Sequence, residues 1–449
     1  MCAAPQDVLA TIDAQTAYHE STSVDQVLVV EPSTGLRGQV ELVGAKNAVL
    51  AIMASLILTE GISTLTNVPN SHDVRQMIQL LRDLGAHVTF DVHKHQLEVD
   101  TTFLCKYTVS PAIMKKMRAS VLVMGPLLAR FGRADIAMPG GCLIGARPID
   151  IHLKNFEKMG VVLSQEAEFL NAKADALTAT HLVLEYPSVG ATENLLMAAV
   201  KTRGITRLIN AALEPEVLDL ISVMMAMGAK INILAPATIE IEGVSTLKPV
   251  NHAVMYDRLE AGSLLIAVAV TGGQVTLPQA RWDHMDVFLF KLEEMGHHVL
   301  RGPNGVGITL VATREPRAVS FTTAPYPGFP TDLQAPMMVA QCFARGQSVI
   351  HETVFENRFL HVRELQKMGA QITIKGDRAY VSGVEELYGA KVIATDIRAS
   401  CALAIAGLKA KGQTVITGLQ HWQRGYEALE QKIGQLGGMI RLETTNQIS

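Results

Sequence analysis

The sequence predicts an α/β protein: a two-domain inside-out α/β barrel of six repeated βαβαββ units, with the helices inside and the sheets outside. Two observations predict the units: a repeated glycine pattern and a set of helices that are apolar on nearly every face. At 449 residues the chain is long enough for two or three domains with large cores. Because 48% of residues are hydrophobic and no apolar run reaches about 18 residues, we expect this apolarity to be packed inside the protein.

A short phrase ending in glycine recurs at intervals of 68 to 75 residues. Each copy closes an amphipathic helix such as 74–84, and β-prone stretches such as 87–90 and 96–99 follow. A second glycine series ends another helix and leads into a strand such as 348–351. The first series is Gly85, Gly160, Gly228, Gly296, Gly369 and Gly437, and the second is Gly61, Gly132, Gly204, Gly273, Gly346 and Gly412. Repeats of this size indicate duplication of one βαβαββ unit.

The helices before the second glycine series are apolar nearly all round, so we expect them in the interior. They are predicted at 48–58, 121–129, 195–200, 264–270, 337–343 and 401–408. Their starts carry Lys46, Arg118, Gly190, Arg258, Asp332 and Arg398. A basic side chain at a helix start opposes the helix dipole and needs a compensating anion, either a carboxylate or a ligand. We favour a ligand, held in one cleft lined by these helix starts.

A glycine-rich segment, Pro139 to Pro148, places Cys142 five positions before Arg147. A thiol in such a loop is reachable, and a nearby guanidinium favours the thiolate and matches a phosphate or carboxylate group. The alternative is a surface turn with an incidental cysteine. The combination indicates chemistry on an anionic substrate.

The remaining composition excludes several classes of protein. The five cysteines are scattered without CxxC pairs, which argues against a disulfide framework and a zinc site. We expect Cys105, Cys342 and Cys401 to pack in cores. A net charge of −4 without a long basic run gives no support for nucleic-acid binding, and the N-terminal residues lack a secretory signal pattern. A cytoplasmic protein is therefore expected.

These residues resemble the enolpyruvyl transferases, and among them the members whose acceptor is UDP-N-acetylglucosamine. The resemblance begins near Val27, reaches the C-terminal region, and rests on residues 44–48, 117–120, 139–150, 188–192, 257–260, 329–334, 355–359, 395–400 and 424–427. It implies two similar domains of three units each. One is residues 47–255, with the Cys142 loop, and the other is the discontinuous pair 1–46 and 256–449, in which residues 1–26 form a polar tail.

The resemblance implies transfer of the enolpyruvyl group of phosphoenolpyruvate to the 3′-hydroxyl of UDP-N-acetylglucosamine. The reaction passes through a tetrahedral ketal, releases phosphate, and begins peptidoglycan precursor synthesis. It implies no metal or organic cofactor, no nucleic acid and no membrane insertion, and we expect a monomer.

The resemblance also assigns the site, residue by residue. Cys142 resembles the cysteine that donates the proton to C3 and forms a covalent adduct with phosphoenolpyruvate, which predicts alkylation by fosfomycin. Asp332 matches the carboxylate at the sugar 3′-hydroxyl and is the candidate base. The clamp for phosphoenolpyruvate consists of Lys46, Arg118, Arg147 and Arg424, of which Lys46 and Arg424 are also assigned to catalysis. The contacts to UDP-N-acetylglucosamine are assigned to Asn47, Arg118, Arg147, Pro148, Ile149, Asp150, Ile151, Ser188, Val189, Gly190, Asp332 and Val354, and the further cleft residues are Arg258, Arg358, Asp396 and Arg398.

One departure and two alternatives accompany this assignment. Tyr186 stands where many relatives have lysine, which bears on the strength of diphosphate binding. Transfer to shikimate 3-phosphate is disfavoured, because that sister enzyme generally has a Lys-Ser pair where this chain has Lys46-Asn47, and it has no cysteine loop. A silent relative that binds the UDP-sugar without turnover is disfavoured by the joint presence of Cys142, Asp332 and the cations, and phosphate release separates it from an enzyme.

Overall fold

The computed structural model describes residues 26–137 and 149–444, except for the side chains of residues 115, 116 and 118. Within these ranges the strands are β1 (Gln26–Glu31), β2 (Leu36–Gln39), β3 (Ile62–Thr66), β4 (His87–Asp91), β5 (Gln96–Asp100), β6 (Thr108–Val109), β7 (Arg133–Ala137), β8 (Val162–Glu166), β9 (Phe169–Lys173), β10 (His181–Val183), β11 (Ile205–Ile209), β12 (Lys230–Leu234), β13 (Thr238–Glu242), β14 (Asn251–Ala253), β15 (Gly273–Arg281), β16 (His298–Arg301), β17 (Val306–Val311), β18 (Phe321–Thr322), β19 (Gln347–His351), β20 (Gln371–Lys375), β21 (Arg378–Ser382), β22 (Lys391–Ile393), β23 (Thr414–Thr417) and β24 (Met439–Thr444).

The same ranges contain the α-helices α1 (Lys46–Ser55), α2 (His72–Asp83), α3 (Pro111–Lys116), α4 (Met124–Phe131), α5 (Asp150–Lys158), α6 (Val189–Ala199), α7 (Pro215–Ala226), α8 (Arg258–Thr271), α9 (Asp286–Glu294), α10 (Gln334–Cys342), α11 (Val362–Lys367), α12 (Ile397–Lys409), α13 (Gln420–Gly425) and α14 (Leu429–Gln435). Short 3-10 helices cover Leu56–Leu58, Arg118–Val123, Trp282–His284, Pro303–Gly305 and Thr331–Leu333.

The described strands form six four-stranded sheets of one topology. The orders are β14-β3-β5-β4, β6-β7-β9-β8, β10-β11-β13-β12, β2-β15-β17-β16, β18-β19-β21-β20 and β22-β23-β1-β24. In each sheet the first two strands are parallel and the other neighbours are antiparallel. The predicted repeat of βαβαββ units is confirmed.

A strand such as β13 buries one face and exposes the other, whereas β1 is buried on both faces, with Val27 and Val29 in a small cluster beside Val415. In β13, Ile239 and Ile241 are fully buried, whereas Glu240 points outward and pairs with Arg207 on the neighbouring strand at 2.8 Å. This alternation has the period of two that a half-buried strand requires. The sheets therefore cover the protein with their polar faces and pack their apolar faces inward on helices.

Both glycine series lie where the sequence predicted helix ends. All twelve glycines have positive φ values, between 65° and 117°. Gly132, for example, ends α4 with φ 65° and ψ 10°, the left-handed conformation that glycine adopts without strain. The prediction that these glycines punctuate the repeat is confirmed.

The predicted inner helices are buried, and α8 is buried along its entire length. Five of them begin earlier than predicted, at or within two residues of the positions expected as their starts, whereas α4 begins later, at Met124, after a 3-10 helix that starts at Arg118. The apolar windows missed these first turns because they contain Glu193, Glu260 and Gln334, polar residues that the structure nonetheless buries. Glu260 is satisfied by Lys432 Nζ (2.7 Å) on another helix and by Val43 N (3.2 Å), whereas neither polar atom of the Gln334 side chain has a hydrogen-bond partner among the described residues.

The buried apolar residues form two large clusters. One extends from residue 45 to 254, and the other combines residues 28–42 with 259–436. Where the chain passes between the clusters, its two crossings pair with each other: Ala45 N donates to Met255 O (2.7 Å) and Asp257 N donates to Val43 O (2.9 Å). The domain boundaries after residues 46 and 255 remain a prediction, and this division of the apolar residues supports it.

Two further expectations concern cysteines and membranes. Cys342 and Cys401 are buried as expected, but the prediction for Cys105 is wrong, because it lies exposed in the connection from β5 to β6. None of the helices in the described ranges combines the length and the apolar composition that crossing a membrane requires.

Candidate active site

Asp73 joins two of the predicted site cations across the gap between the apolar clusters. Its carboxylate accepts from Lys46 Nζ at 2.7 Å and from Arg424 Nε at 2.9 Å. Lys46 is the first residue of α1, Asp73 lies in the first turn of α2, and Arg424 is near the end of α13. Three helix ends that are distant in sequence thus place a carboxylate between two cations.

Asp73 was not among the residues that the sequence pattern predicted for the site. Burial would raise the pKa of its carboxyl group, but the charges of Lys46 and Arg424 outweigh burial and hold the pKa below its ordinary value. An acidic residue just after the N-cap Ser71 is typical of a helix start, so nothing local marked it. The signal that could have found it is the need of Lys46 for an anion.

Asp332 lies between two other predicted cleft residues. Arg358 Nη2 donates to Oδ1 and Arg398 Nη2 donates to Oδ2, both at 2.7 Å. Both arginines are buried, whereas a quarter of the Asp332 side chain is exposed. Burial alone would raise the pKa of Asp332, but the two guanidinium groups hold it far below its usual range. Nη1 of Arg358 is buried and has no hydrogen-bond partner among the described residues.

The two charge clusters are adjacent because one short segment contributes to both. Arg424 pairs with Asp73, and two residues later the Tyr426 hydroxyl accepts from Arg398 Nη1 at 3.0 Å. Lys46, Gly425 and Tyr426 line the same small cavity. The structure therefore brings together Lys46, Arg358, Arg398, Arg424 and Asp332, as the sequence predicted.

Three of the basic helix starts each face a carboxylate of the protein. Lys46 pairs with Asp73 and Arg398 with Asp332, as above. Arg258, at the start of α8, is buried against Glu216 through Nε (2.9 Å) and Nη2 (3.1 Å). A carboxylate from another helix or turn thus faces each of these three starts, and the preference for a ligand stays a prediction.

The start of α6, predicted to hold the diphosphate, is capped by Ser188, whose hydroxyl accepts from Ala191 N. Val189 and Gly190 form its first turn, and the ring of His152 lies 3.6 Å from where a side chain on Gly190 would begin. One turn further, Asn194 accepts from Gly125 N (2.6 Å) and contacts His152 Nδ1 (3.1 Å). These bonds fix α6 against α4 and α5.

The segment from 149 to 151 begins α5 beside this helix start. Ile149 is buried, Ile151 is partly buried, and Oδ1 of Asp150 is buried without a partner among the described residues. Tyr186 lies close to Glu214 and Glu352; burial, and then the charges of these two carboxylates, raise the pKa of its hydroxyl. A tyrosine at this position meets acidic neighbours.

Three remaining predicted residues have simple surroundings. Asn47 is exposed beside Lys46. Asp396 caps α12, because its carboxylate accepts from Arg398 N (2.8 Å) and Ala399 N (3.0 Å), which explains its presence by structure alone. The backbone N of Val354 donates to Glu352 at 2.9 Å.

Cys142, Arg147 and Pro148 lie outside the described residues, as does the side chain of Arg118, whose backbone begins a 3-10 helix. The cysteine loop and half of the predicted clamp for phosphoenolpyruvate therefore stay predictions. The described half, Lys46 and Arg424, is held in place by Asp73.

The repeated units, the inward helices and the paired cations agree with one family of transferases. The family described as EPSP synthase (3-phosphoshikimate 1-carboxyvinyltransferase) matches residues 30–433. The chain belongs to this family of enolpyruvyl transferases.

Among curated proteins, the chain is 44% identical to the UDP-N-acetylglucosamine 1-carboxyvinyltransferase of Saccharophagus degradans over 92% of this chain and 98% of that protein. It is 46% identical to UDP-N-acetylglucosamine 1-carboxyvinyltransferase 1 of Caldanaerobacter subterraneus, with the same coverage. Among solved structures, the enolpyruvyl transferase NikO from Streptomyces tendae aligns with a TM-score of 0.85 and 24% identity over 94% of this chain and 99% of that one. EPSP synthase from Acinetobacter baumannii aligns with a TM-score of 0.71 and 16% identity over 93% and 100%. These two structures share the fold.

Proposed function

We propose that this protein transfers the enolpyruvyl group of phosphoenolpyruvate to the 3′-hydroxyl of UDP-N-acetylglucosamine and releases phosphate, the first committed step of peptidoglycan precursor synthesis. One observation carries the proposal: the chain is 44% to 46% identical to proteins named UDP-N-acetylglucosamine 1-carboxyvinyltransferase over nearly their whole length. Identity at this level favours the UDP-sugar as acceptor over shikimate 3-phosphate. The presence of Lys46-Asn47 and Cys142 in the sequence supports the same choice.

Lys46 and Arg424 are proposed to bind the anionic groups of phosphoenolpyruvate together with Arg118 and Arg147. Their pairing with Asp73 supports this role, because it holds two donors side by side at a fixed spacing before any substrate arrives. The phosphate of the substrate would then bind to cations that are already in position, because the Asp73 carboxylate offsets the repulsion between them. Ser188, Val189 and Gly190 are proposed to meet the diphosphate at the start of α6.

Asp332 is proposed to accept the proton of the sugar hydroxyl. Its two arginines keep it ionised, which leaves an oxygen able to accept, but they also make it a weak base while both contacts persist. Nη1 of Arg358 has no hydrogen-bond partner within the described part of the chain, which supports a shift of the Arg358 contacts when the substrate anion enters. Loss of one arginine contact would raise the pKa of Asp332 at the moment when a base is required.

The proposal extends to residues and properties that the described ranges do not contain. Cys142 is proposed to donate the proton to C3 of phosphoenolpyruvate, in an addition that forms a tetrahedral ketal before phosphate leaves. Alkylation of Cys142 by fosfomycin and a cytoplasmic, monomeric enzyme belong to the same proposal.

The test is phosphate release from phosphoenolpyruvate with UDP-N-acetylglucosamine, beside reactions with shikimate 3-phosphate and with no acceptor. We expect release with the UDP-sugar alone. Release with shikimate 3-phosphate would instead indicate enolpyruvyl transfer to that acceptor and contradict the proposal. Binding of the UDP-sugar without release would identify a silent regulator.

In the same assay, Asp332→Ala should abolish release while the protein stays folded, as judged by its thermal unfolding. Asp377→Ala is a matched control, because Asp377 forms an exposed pair with His351 on the sheet surface. Normal turnover by Asp332→Ala would remove Asp332 as the base.

A further inference from the structure

A chain of hydrogen bonds runs from Asp332 into the interior. Arg398 donates Nη2 to Asp332 at 2.7 Å and Nη1 to the hydroxyl oxygen of Tyr426 at 3.0 Å. Arg398 is 6% exposed and Tyr426 is 5% exposed. The guanidinium group therefore bridges the candidate base, which faces the cleft, and a buried phenol behind it.

The bond from Arg398 to Tyr426 has only one possible direction. A guanidinium group only donates, so the Tyr426 oxygen accepts from Arg398. The Ser263 hydroxyl donates to Leu259 O at 2.8 Å, which leaves its oxygen free to accept the Tyr426 proton across 3.3 Å. The Cys401 thiol lies beside both hydroxyl groups. The Tyr426 oxygen is thus a hydrogen-bond acceptor placed behind Arg398.

Packing holds the Tyr426 ring as firmly as its hydroxyl. The ring centroid lies 5.6 Å from that of Trp422, and the Arg398 Cζ lies 5.5 Å from it. The backbone N of Tyr426 donates to Trp422 O at 3.1 Å. A ring with so little freedom can define the position of the guanidinium group to which its hydroxyl binds.

We propose that Tyr426 is a positioning residue for enolpyruvyl transfer: its hydroxyl fixes Arg398 from behind, so that Arg398 in turn fixes the Asp332 carboxylate toward the sugar hydroxyl. This inference rests on the proposed function. Without the hydroxyl, Nη1 of Arg398 would be buried without a hydrogen-bond acceptor. The guanidinium group would then rotate toward a different acceptor. Asp332 would follow, and small misplacements of a reacting group are costly for rate.

The test is Tyr426→Phe, which removes the hydroxyl and keeps the ring. We expect kcat to fall by about 10- to 100-fold, the loss associated with one hydrogen bond to a charged group. The KM for UDP-N-acetylglucosamine should stay within about threefold, because the residues assigned to its diphosphate are untouched. The solvent deuterium isotope effect on kcat should rise, because proton transfer becomes slower relative to other steps. A merely smaller fraction of folded enzyme would lower kcat without changing that isotope effect.

Ser263→Ala is the matched control. It removes a second hydrogen-bond partner of Tyr426 but leaves the acceptor for Arg398, so kcat and the isotope effect should remain near those of the wild type. If Ser263→Ala lost as much kcat as expected for Tyr426→Phe, general packing of this cluster would be responsible and the proposal would be wrong. A loss of kcat in Ser263→Ala would overturn the proposal even if Tyr426→Phe did not fold.

The possible failures are distinguishable. A wild type that releases no phosphate with any acceptor overturns the proposed function, and this inference with it. An active wild type together with an unchanged kcat in Tyr426→Phe overturns this inference alone. A reduced kcat with an unchanged isotope effect also overturns it, because the hydroxyl would then support folding and not proton transfer.

Discussion

Each of the two central carboxylates of the candidate site faces two cations. Asp73 faces Lys46 and Arg424, and Asp332 faces Arg358 and Arg398. Each trio therefore carries one net positive charge while its cations stay compensated. The net positive charge attracts an anionic substrate. The carboxylate in each trio limits the repulsion between its two cations. This arrangement keeps the cations close together before the phosphate and carboxylate groups of a substrate bind.

Asp73→Asn should destabilise the protein without ligand, because it leaves Lys46 and Arg424 side by side without a counter-charge. We expect the free energy of unfolding to fall by about 2 kcal/mol, within the range for breaking partly buried pairs. Added inorganic phosphate should stabilise the variant more than the wild type, because an anion replaces the lost carboxylate. Urea denaturation with and without phosphate measures both effects.

Asp83→Asn is the control for that experiment. Asp83 lies on the same helix, exposed, and bonds only to Gln79 among the hydrogen bonds described for it. We expect no more than about 0.5 kcal/mol change and an unaltered response to phosphate. Equal behaviour of the two variants would show that Asp73 is not what compensates the cations.

Among the elements, the helix starts and helix ends follow different rules. The ends were predicted closely, because a positive φ almost requires glycine and the sequence repeats that glycine in every unit. The starts were predicted by position, but their partners were not. Glu216 and Asp73 are distant in sequence from Arg258 and Lys46, and only the folded arrangement brings them together. Local pattern shows which residues need a partner, whereas tertiary packing selects the partner.

Two glycines that each leave open space for a side chain should respond in opposite ways to alanine. Gly228 has φ +108° and Gly434 lies within α14, and neither would bring a new Cβ within 4 Å of another group. Gly228→Ala should lower the free energy of unfolding by about 1 to 2 kcal/mol through backbone strain alone. Gly434→Ala should raise it by about 0.5 to 1 kcal/mol, because alanine favours the helix. Thermal and urea unfolding of both variants check this, and a loss at Gly434 would contradict it.

On the scale of the whole molecule, buried carboxylates hydrogen-bond to the two segments in which the chain crosses between the apolar clusters. Glu260 accepts from Val43 N (3.2 Å) on one crossing and from Lys432 Nζ (2.7 Å) on α14. Asp257, on the other crossing, caps α8 and accepts from Lys46 N. The crossings thus share partners with the candidate site. These contacts could not be predicted from the sequence, because neither the pairing of the crossings nor the position of Lys432 is local.

Burial, although opposed by Lys432, raises the pKa of Glu260 to about 7 from 4.5. Between these values the folded state binds a proton that the unfolded state has lost, so the contribution of Glu260 to stability falls as pH rises from about 4.5 to 7. The expected loss is about 3 kcal/mol, from 1.36 kcal/mol per pKa unit. Glu260→Gln should remove this part of the pH dependence. Urea denaturation of both proteins across this range measures it, and parallel stability curves would contradict the assignment.

The position of β1 has a consequence for the order of events during synthesis. β1 lies between β23 and β24 in its sheet, so residues 26–31 find their neighbours only after residues 414–417 and 439–444 have left the ribosome. The cluster from residue 45 to 254 needs nothing made later than β14, and it can assemble while the rest of the chain is still being translated. The half that contains β1 must wait for the last strand. Nascent chains stalled shortly before residue 439 should therefore protect one half from protease and leave the other open.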